Sequence, residues 1–324
     1  MANASDYPVG CINSHFLDSG SFTLWTKAAE YGKEFGIGEW EFYNTDQFWD
    51  YMDGYSRFVK ENKAAIDICA NIDVLPFRNK IQPPKGMDNA SLTWRNQKWL
   101  EAEGLNPMPV VHYTTDLKWL KKYIKKGYKL IGLGGLVGST SMEECVDWID
   151  DAFCIVCDTK DGMPRVDIHG FGVTSFYLMR RYPWYSVDST SWTKVAAYGG
   201  IIVPGRRNGK WIYDTLDEPN AKAVVPEVIK ISLDSPSVKD AVHYQNTTPE
   251  KRKLINDWLE EIGVPLGNPK KKKTHPKWNG VLTHHSWRRT ANLRFFERFR
   301  NTLPEYPWAF RTRRPKLIGE VMSV

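Results

Sequence analysis

The chain has 324 residues, a net charge of +6 and an ordinary apolar share of 42% with 14 Trp, enough to fill one large α/β barrel or two smaller domains. No run of 18 apolar residues occurs, and the first residues lack a basic segment followed by an apolar one. Neither a membrane-spanning helix nor a secretory signal is expected, and the expectation is a soluble, unexported, cytoplasmic protein. The five cysteines (Cys11, Cys69, Cys145, Cys154, Cys157) are scattered and mostly lie in apolar stretches, which predicts buried thiols in a reducing compartment rather than a disulfide frame. Charge is unevenly spread. Residues 270–316 hold fourteen Lys and Arg against two Glu, which leaves the remainder at −6. An acidic body with a basic C-terminal region is the asymmetry of a polyanion binder.

In chain order, short apolar runs predict strands at residues 9–17, 65–74, 109–113, 129–133, 153–157, 166–169 and 185–187. Helical periodicity falls between them, at residues 46–61, 92–104, 116–126, 141–151 and 174–181, with Asp116 and Ser141 as caps and Gly104 and Gly127 as stops. Alternation at this pitch implies parallel strands covered by helices. With seven or eight units, a (β/α)8 barrel is expected, its site at the carboxyl ends of the strands. Beyond Gly199 the alternation weakens. A turn at Val203-Pro204-Gly205 leads into a strand at 206–211, and a further strand is expected at 229–233. A helix follows at 248–263, opened by Thr248 and Pro249 and closed by Gly263. After a lysine block comes a last helix at 286–303, with Leu293, Phe296 and Arg300 on one side. The chain divides into a barrel core at residues 1–205 and, at 206–324, barrel completion with a basic elaboration.

Three apolar runs end in residues of chemical interest. Asp18-Ser19-Gly20-Ser21-Phe22 and Asp188-Ser189-Thr190-Ser191-Trp192 each place a carboxylate before small hydroxyl residues, and Gly132-Leu133-Gly134-Gly135-Leu136-Val137-Gly138 is a bare turn. Alone, each is equally a turn or cap. Together, two carboxylates and an open backbone at strand ends suit the exchange of a base on a sugar.

These motifs resemble, in order and rough spacing over residues 8–200, those of the tRNA-guanine transglycosylases. Residues 18–22 are similar to their Asp-Ser-Gly-Gly-Phe, and 132–138 to their glycine loop. His169-Gly170-Phe171-Gly172-Val173 followed by Val187-Asp188-Ser189 is similar to Met-Gly-Val-Gly … Phe-Asp-Cys. The nearest resemblance is to the phage and bacterial DNA-guanine transglycosylases, which insert 7-deazaguanines into DNA and so help phage DNA evade restriction. The resemblance implies Asp188 as the nucleophile at C1′ and Asp18 as general acid/base, in a double displacement like that of a retaining glycosidase. It implies Asp73 as the reader of the guanine N1–H and 2-amino edge, with Asp67, inside the apolar run, as the competing acid. Ser19, Gly20, Gly134 and Gly135 would line the base site, and His112, where the family carries Gln, is a further candidate contact.

Two departures follow. Ser139 stands where the bacterial tRNA enzymes carry Glu, which leans toward a nitrile-bearing 7-deazaguanine such as preQ0. The family's Cys-x-Cys-x-x-Cys … His zinc set is absent, so no metal or other cofactor is expected. Strand geometry would turn Cys154 and Cys157 to opposite faces, and His275, His284 and His285 fall to the basic surface. Chemistry inside a duplex requires an extruded nucleotide. Its phosphates would meet Lys270, Lys271, Lys272, Lys273, Lys277, Arg288, Arg289, Arg294, Arg298, Arg313 and Arg314, with Arg206 and Arg207 as further contacts. Trp192, Trp278 and Trp287 are stacking candidates. The expected partners are DNA and a free 7-deazaguanine base, in the host cytoplasm if phage-encoded. The alternatives are the same chemistry on tRNA, or a non-catalytic nucleic-acid-binding barrel.

Overall fold

The computed structural model describes residues 15–78, 81–136, 142–173, 175–213, 226–235, 239–240, 243–268 and 280–311. It divides into two compact units, one of residues 1–173, 182–188 and 307–324, the other of 174–181 and 189–306.

The first unit alternates strand and helix: β1 (Phe16–Leu17), α1 (Ser21–Phe35), α2 (Asp46–Glu61), β2 (Ile68–Cys69), α3 (Asn89–Ala102), β3 (Val110–His112), α4 (Lys118–Lys125), β4 (Leu130–Gly134), α5 (Met142–Val156), β5 (Asp167–Gly170) and β6 (Ser186–Val187). The pairings between these strands are parallel and sequential. β1 pairs with β2, an Ala70–Met108 bridge links the β2 segment to the chain entering β3, and β3-β4-β5-β6 continue in order. The sheet is curled. Four strand steps at about 4.8 Å would separate β1 from β5 by roughly 19 Å if it were flat, yet the Phe16 ring on β1 stacks on His169 of β5 at 4.8 Å.

The helices form for the reasons expected of their sequences. Thr45 caps α2, its hydroxyl accepting from the Phe48 N–H at 3.3 Å. Asp88 caps α3, and Asp116 accepts from the Lys118 N–H at the start of α4. The buried face of α2 (Phe48, Met52, Tyr55, Val59) packs with Tyr43, Leu24, Ile72 and Leu100. Elsewhere in the unit the stacked rings of Phe153 and Tyr182 lie 4.9 Å apart. One expectation is corrected here. Residues 153–156 are the last turn of α5 rather than a strand, because Cys145, Val146, Ile149, Ala152, Phe153 and Val156 are all buried at helical spacing. The helices at 21–35 and 191–197 are additions to the expected elements.

The second unit holds α6 (Phe176–Arg181), α7 (Ser191–Ala197), β7 (Gly200–Val203), β8 (Gly205–Arg207), β9 (Lys210–Ile212), β10 (Glu227–Lys230), α8 (Pro249–Glu261) and α9 (His285–Arg300). β7 and β10 pair antiparallel. β8 and β9 form a hairpin turned by Asn208 and Gly209, both at positive φ. Thr248 caps α8, with Pro249 in its first turn. On α9 Arg288, Ala291, Asn292, Phe295 and Phe299 face inward, while Leu293 is among the exposed apolar residues. The inward polar groups are satisfied. Asn292 bonds the Ile202 N–H and the Trp192 carbonyl, and Arg288 donates to the Ala196 and Val281 carbonyls. Among the described residues no helix is long and apolar enough to cross a membrane.

Candidate active site

Because β1 to β6 run parallel, their carboxyl ends lie along one edge, and the first unit carries its acids there. Asp18 follows β1. Gly20, in the left-handed region (φ 72°), then turns the chain into α1, and the Tyr51 hydroxyl pins the turn by donating to the Ser19 carbonyl at 2.6 Å. Asp73 follows β2 on a segment held by α3: Asn71 donates to the Thr93 carbonyl, the Thr93 hydroxyl accepts from the Val74 N–H, and Asn96 donates to the Ile72 carbonyl. Asp188 follows β6, and the left-handed Gly172 beyond β5 turns its N–H onto Asp188 Oδ1 at 2.6 Å.

The three acids differ in environment. Asp188 has half of its side chain exposed. Asp73 is buried. Its Oδ2 lies 2.6 Å from His112 Nε2 and its Oδ1 accepts from the Ser19 hydroxyl at 3.4 Å. Asp18 is open to water, yet its pKa is raised above the ordinary 3.8, first by burial among surrounding protein, then by the charges of Asp73 and of Asp188. The N–H groups of Ser19 and Gly20 oppose that rise without cancelling it. The charges of Asp73 and Asp188 both act on Asp18, so the three acids form one electrostatic neighbourhood at this edge. The Tyr51 hydroxyl is likewise pushed up, by burial and then by Asp18.

Gly134 ends β4 in register with His112, and a Cβ there would come within 2.9 Å of the His112 ring. The bareness of Gly134 is thus explained by the imidazole packed over it. Gly135, with φ 72°, requires glycine for its turn. Asp67 is exposed at the amino end of β2, accepting from the His15 N–H, so it is not the buried acid its apolar context suggested and it lies at the wrong end of the strand. Ser139 lies outside the described residues.

Sequence reasoning missed three residues at this edge. His169 is buried with Nδ1 2.8 Å from the Ser186 hydroxyl and Nε2 3.9 Å from Asp188 Oδ1. Tyr51 braces the Asp18 turn. The Phe22 ring, 65% exposed on the first turn of α1, lies 5.5 Å from Trp25, over which the Arg78 guanidinium packs at 3.6 Å. Phe22 belongs to one of the motifs, and its position directly after the Asp18 turn is the available signal. His169 opens the His169–Val173 motif where the family carries Met, and that position gave no sign of a contact with Asp188.

The basic candidates separate. Lys270, Lys271, Lys272, Lys273, Lys277, Arg313, Arg314, His275 and Trp278 lie outside the described residues. Arg288 is corrected: it is buried with its donors on main-chain carbonyls, so it holds α9 in place rather than meeting phosphate. Arg289 packs over Trp192 at 5.7 Å. Arg294 pairs with Glu297, Arg298 with Glu261 and Arg206 with Asp257, all at partly exposed positions. Among the described residues no group of three or more His, Cys, Asp or Glu is placed to hold a metal. Cys154 is exposed at the end of α5 and Cys157 is buried just beyond it, its thiol pushed up to about 12 mainly by burial. No protein-family model, no curated protein and no solved structure matches this chain.

Proposed function

We propose that this chain is a DNA-guanine transglycosylase that exchanges guanine for a 7-deazaguanine by double displacement at C1′ of the target nucleoside. The observation that carries the proposal is that an open carboxylate fixed through one oxygen, Asp188, and a second acid, Asp18, raised by burial and by its acidic neighbours, both follow parallel strands at the same sheet edge. A nucleophile needs exposure and orientation, whereas an acid/base needs a proton to give and a means of losing it. Separated environments of this kind assign the two roles.

In the first displacement an oxygen of Asp188 forms a bond to C1′ as the bond to guanine breaks, and Asp18 gives its proton to the departing base. In the second, Asp18 takes a proton from the incoming deazaguanine, whose nitrogen attacks C1′ as the ester bond breaks and returns its electron pair to Asp188. Two inversions retain the configuration. Asp73 and His112 form the buried wall of the base site. Asp73 already accepts from both neighbours, and the second lone pair on each of its oxygens remains for the donors of the guanine edge.

The consecutive parallel order of six strands and the curl of their sheet support a (β/α)8 barrel. DNA is preferred to tRNA because the zinc set of the tRNA enzymes is absent from the sequence, and the basic segment 270–316 is the proposed phosphate-binding region. Labelled guanine tests the proposal: it should enter guanine-containing DNA and not tRNA. Incorporation into tRNA alone would move the activity to RNA, and incorporation into neither would leave a nucleic-acid-binding protein without this chemistry.

A further inference from the structure

His169 stands out among the buried polar groups of the first unit because it is held on three sides and unsatisfied on the fourth. It lies opposite Ser186 in the β5-β6 register, and the Ser186 hydroxyl meets its Nδ1 at 2.8 Å. The Phe16 ring stacks on it at 4.8 Å with 24° between planes, and the Phe171 edge meets it at 4.6 Å. Its Nε2 is buried, has no hydrogen-bond partner, and points toward Asp188 Oδ1 at 3.9 Å. A ring held this firmly with one orphaned nitrogen is uncommon, since a buried polar atom without a partner is costly.

Resting on the transglycosylase reading, we propose that His169 is a positioning residue for the nucleophile: it directs Nε2–H at Asp188 Oδ1, leaves Oδ2 as the oxygen that bonds C1′, and steadies the carboxylate as the ester breaks. The Gly172 N–H already occupies Oδ1 at 2.6 Å, so a second donor on the same atom leaves Oδ2 as the uncommitted oxygen. With the Ser186 hydroxyl donating to Nδ1, the neutral ring carries its proton on Nε2 and is a donor without becoming a cation. Burial, which lowers the His169 pKa, favours that neutral form; the Asp188 charge acts in the opposite sense. No proton changes hands at His169. When the ester breaks, the electron pair of the C1′–O bond returns to Asp188, and a small side-chain rotation closes the 3.9 Å gap to a hydrogen bond as that charge develops.

The test compares wild type with His169→Met, which fills the space without a donor, and His169→Gln, whose side-chain amide places an N–H near Nε2. For each, kcat and KM for guanine exchange into DNA are measured, together with the covalent protein–DNA adduct on denaturing gels. A donor to a charged group predicts that His169→Met lowers kcat by about 10- to 100-fold, with KM for DNA within about twofold, and that His169→Gln recovers most of the loss. A purely structural role would show no such recovery. The inference is overturned if His169→Met keeps kcat within about twofold of wild type, or if Gln is as slow as Met. An adduct-forming wild type with an equally active His169→Met removes this inference alone. A wild type that forms no adduct removes the transglycosylase reading and this inference with it.

Discussion

Replacing His112 by Ala removes an imidazole whose Nε2 lies 2.6 Å from Asp73 Oδ2, where the two side chains are 4% and 10% exposed. Asp73 is then left with the Ser19 hydroxyl at 3.4 Å, a distance at the weak end of hydrogen bonding. Removing one partner of a buried pair strands the other, at about 3–5 kcal/mol. The first unit comprises roughly 200 residues, a size at which each kcal/mol shifts Tm by about 2–4 °C, so His112→Ala should melt about 6–20 °C below wild type. Asp73→Asn keeps the shape without the charge and should cost less, about 1–2 kcal/mol. The double variant decides the cause. Because the neutral amide of Asp73→Asn is not a stranded charge, this substitution should raise the melting temperature of His112→Ala although it lowers that of wild type. Thermal unfolding followed by tryptophan fluorescence measures all four proteins. A His112→Ala midpoint within about 2 °C of wild type, or an Asp73→Asn loss equal in both backgrounds, would refute the reasoning.

Three further outcomes are expected. The Asp18 pKa is raised in the folded protein, so the fold favours its protonated form; that favour is complete below the unfolded value of 3.8 and is lost as pH rises through the folded value. The Tm of Asp18→Asn relative to wild type should therefore climb as pH rises above 3.8 and level off once pH has passed the folded value; a pH-independent difference counts against the raised pKa. Gly20→Ala puts a side chain in the left-handed region and a Cβ 2.6 Å from the Tyr51 hydroxyl, at about 1–2 kcal/mol for the backbone alone. Adding Tyr51→Phe should recover the steric share only, read by calorimetry, and full recovery would show that the backbone carries no strain. Arg288→Ala should lower the melting temperature, whereas Arg289→Ala should leave it unchanged and reduce the slope of log affinity for DNA against log salt by about 0.9; the reverse pattern would exchange their roles.

The sequence is legible where local physics decides structure. The helix at residues 46–61 reads correctly at both ends, because a capping Thr45 precedes an amphipathic run. Gly104, Gly127 and Gly263 read as stops and all have positive φ. Errors arise where tertiary context overrides the pattern. Phe153-Cys154-Ile155-Val156 is an apolar run with β-branched residues that reads as strand, and only its burial with Val146 and Ile149 makes it helix. The inward face of α9 includes Arg288 and Asn292, polar residues that find main-chain partners no sequence rule displays. At the site, Asp18 and Asp188 are visible as acids ending apolar runs. The Asp73–His112 contact spans 39 positions and exists because parallel pairing at Ala70 and Met108 aligns the two segments. His169 needs the curl of the sheet, which brings Phe16 onto its ring.

The central claim is that Asp188 bonds to the sugar. Wild-type protein incubated with guanine-containing DNA and no incoming base, then denatured and digested, should yield a nucleotide-bearing peptide whose modified residue is Asp188, absent from Asp188→Ala at undiminished DNA affinity. A modified peptide that excludes Asp188, or base exchange persisting in Asp188→Ala, would contradict it.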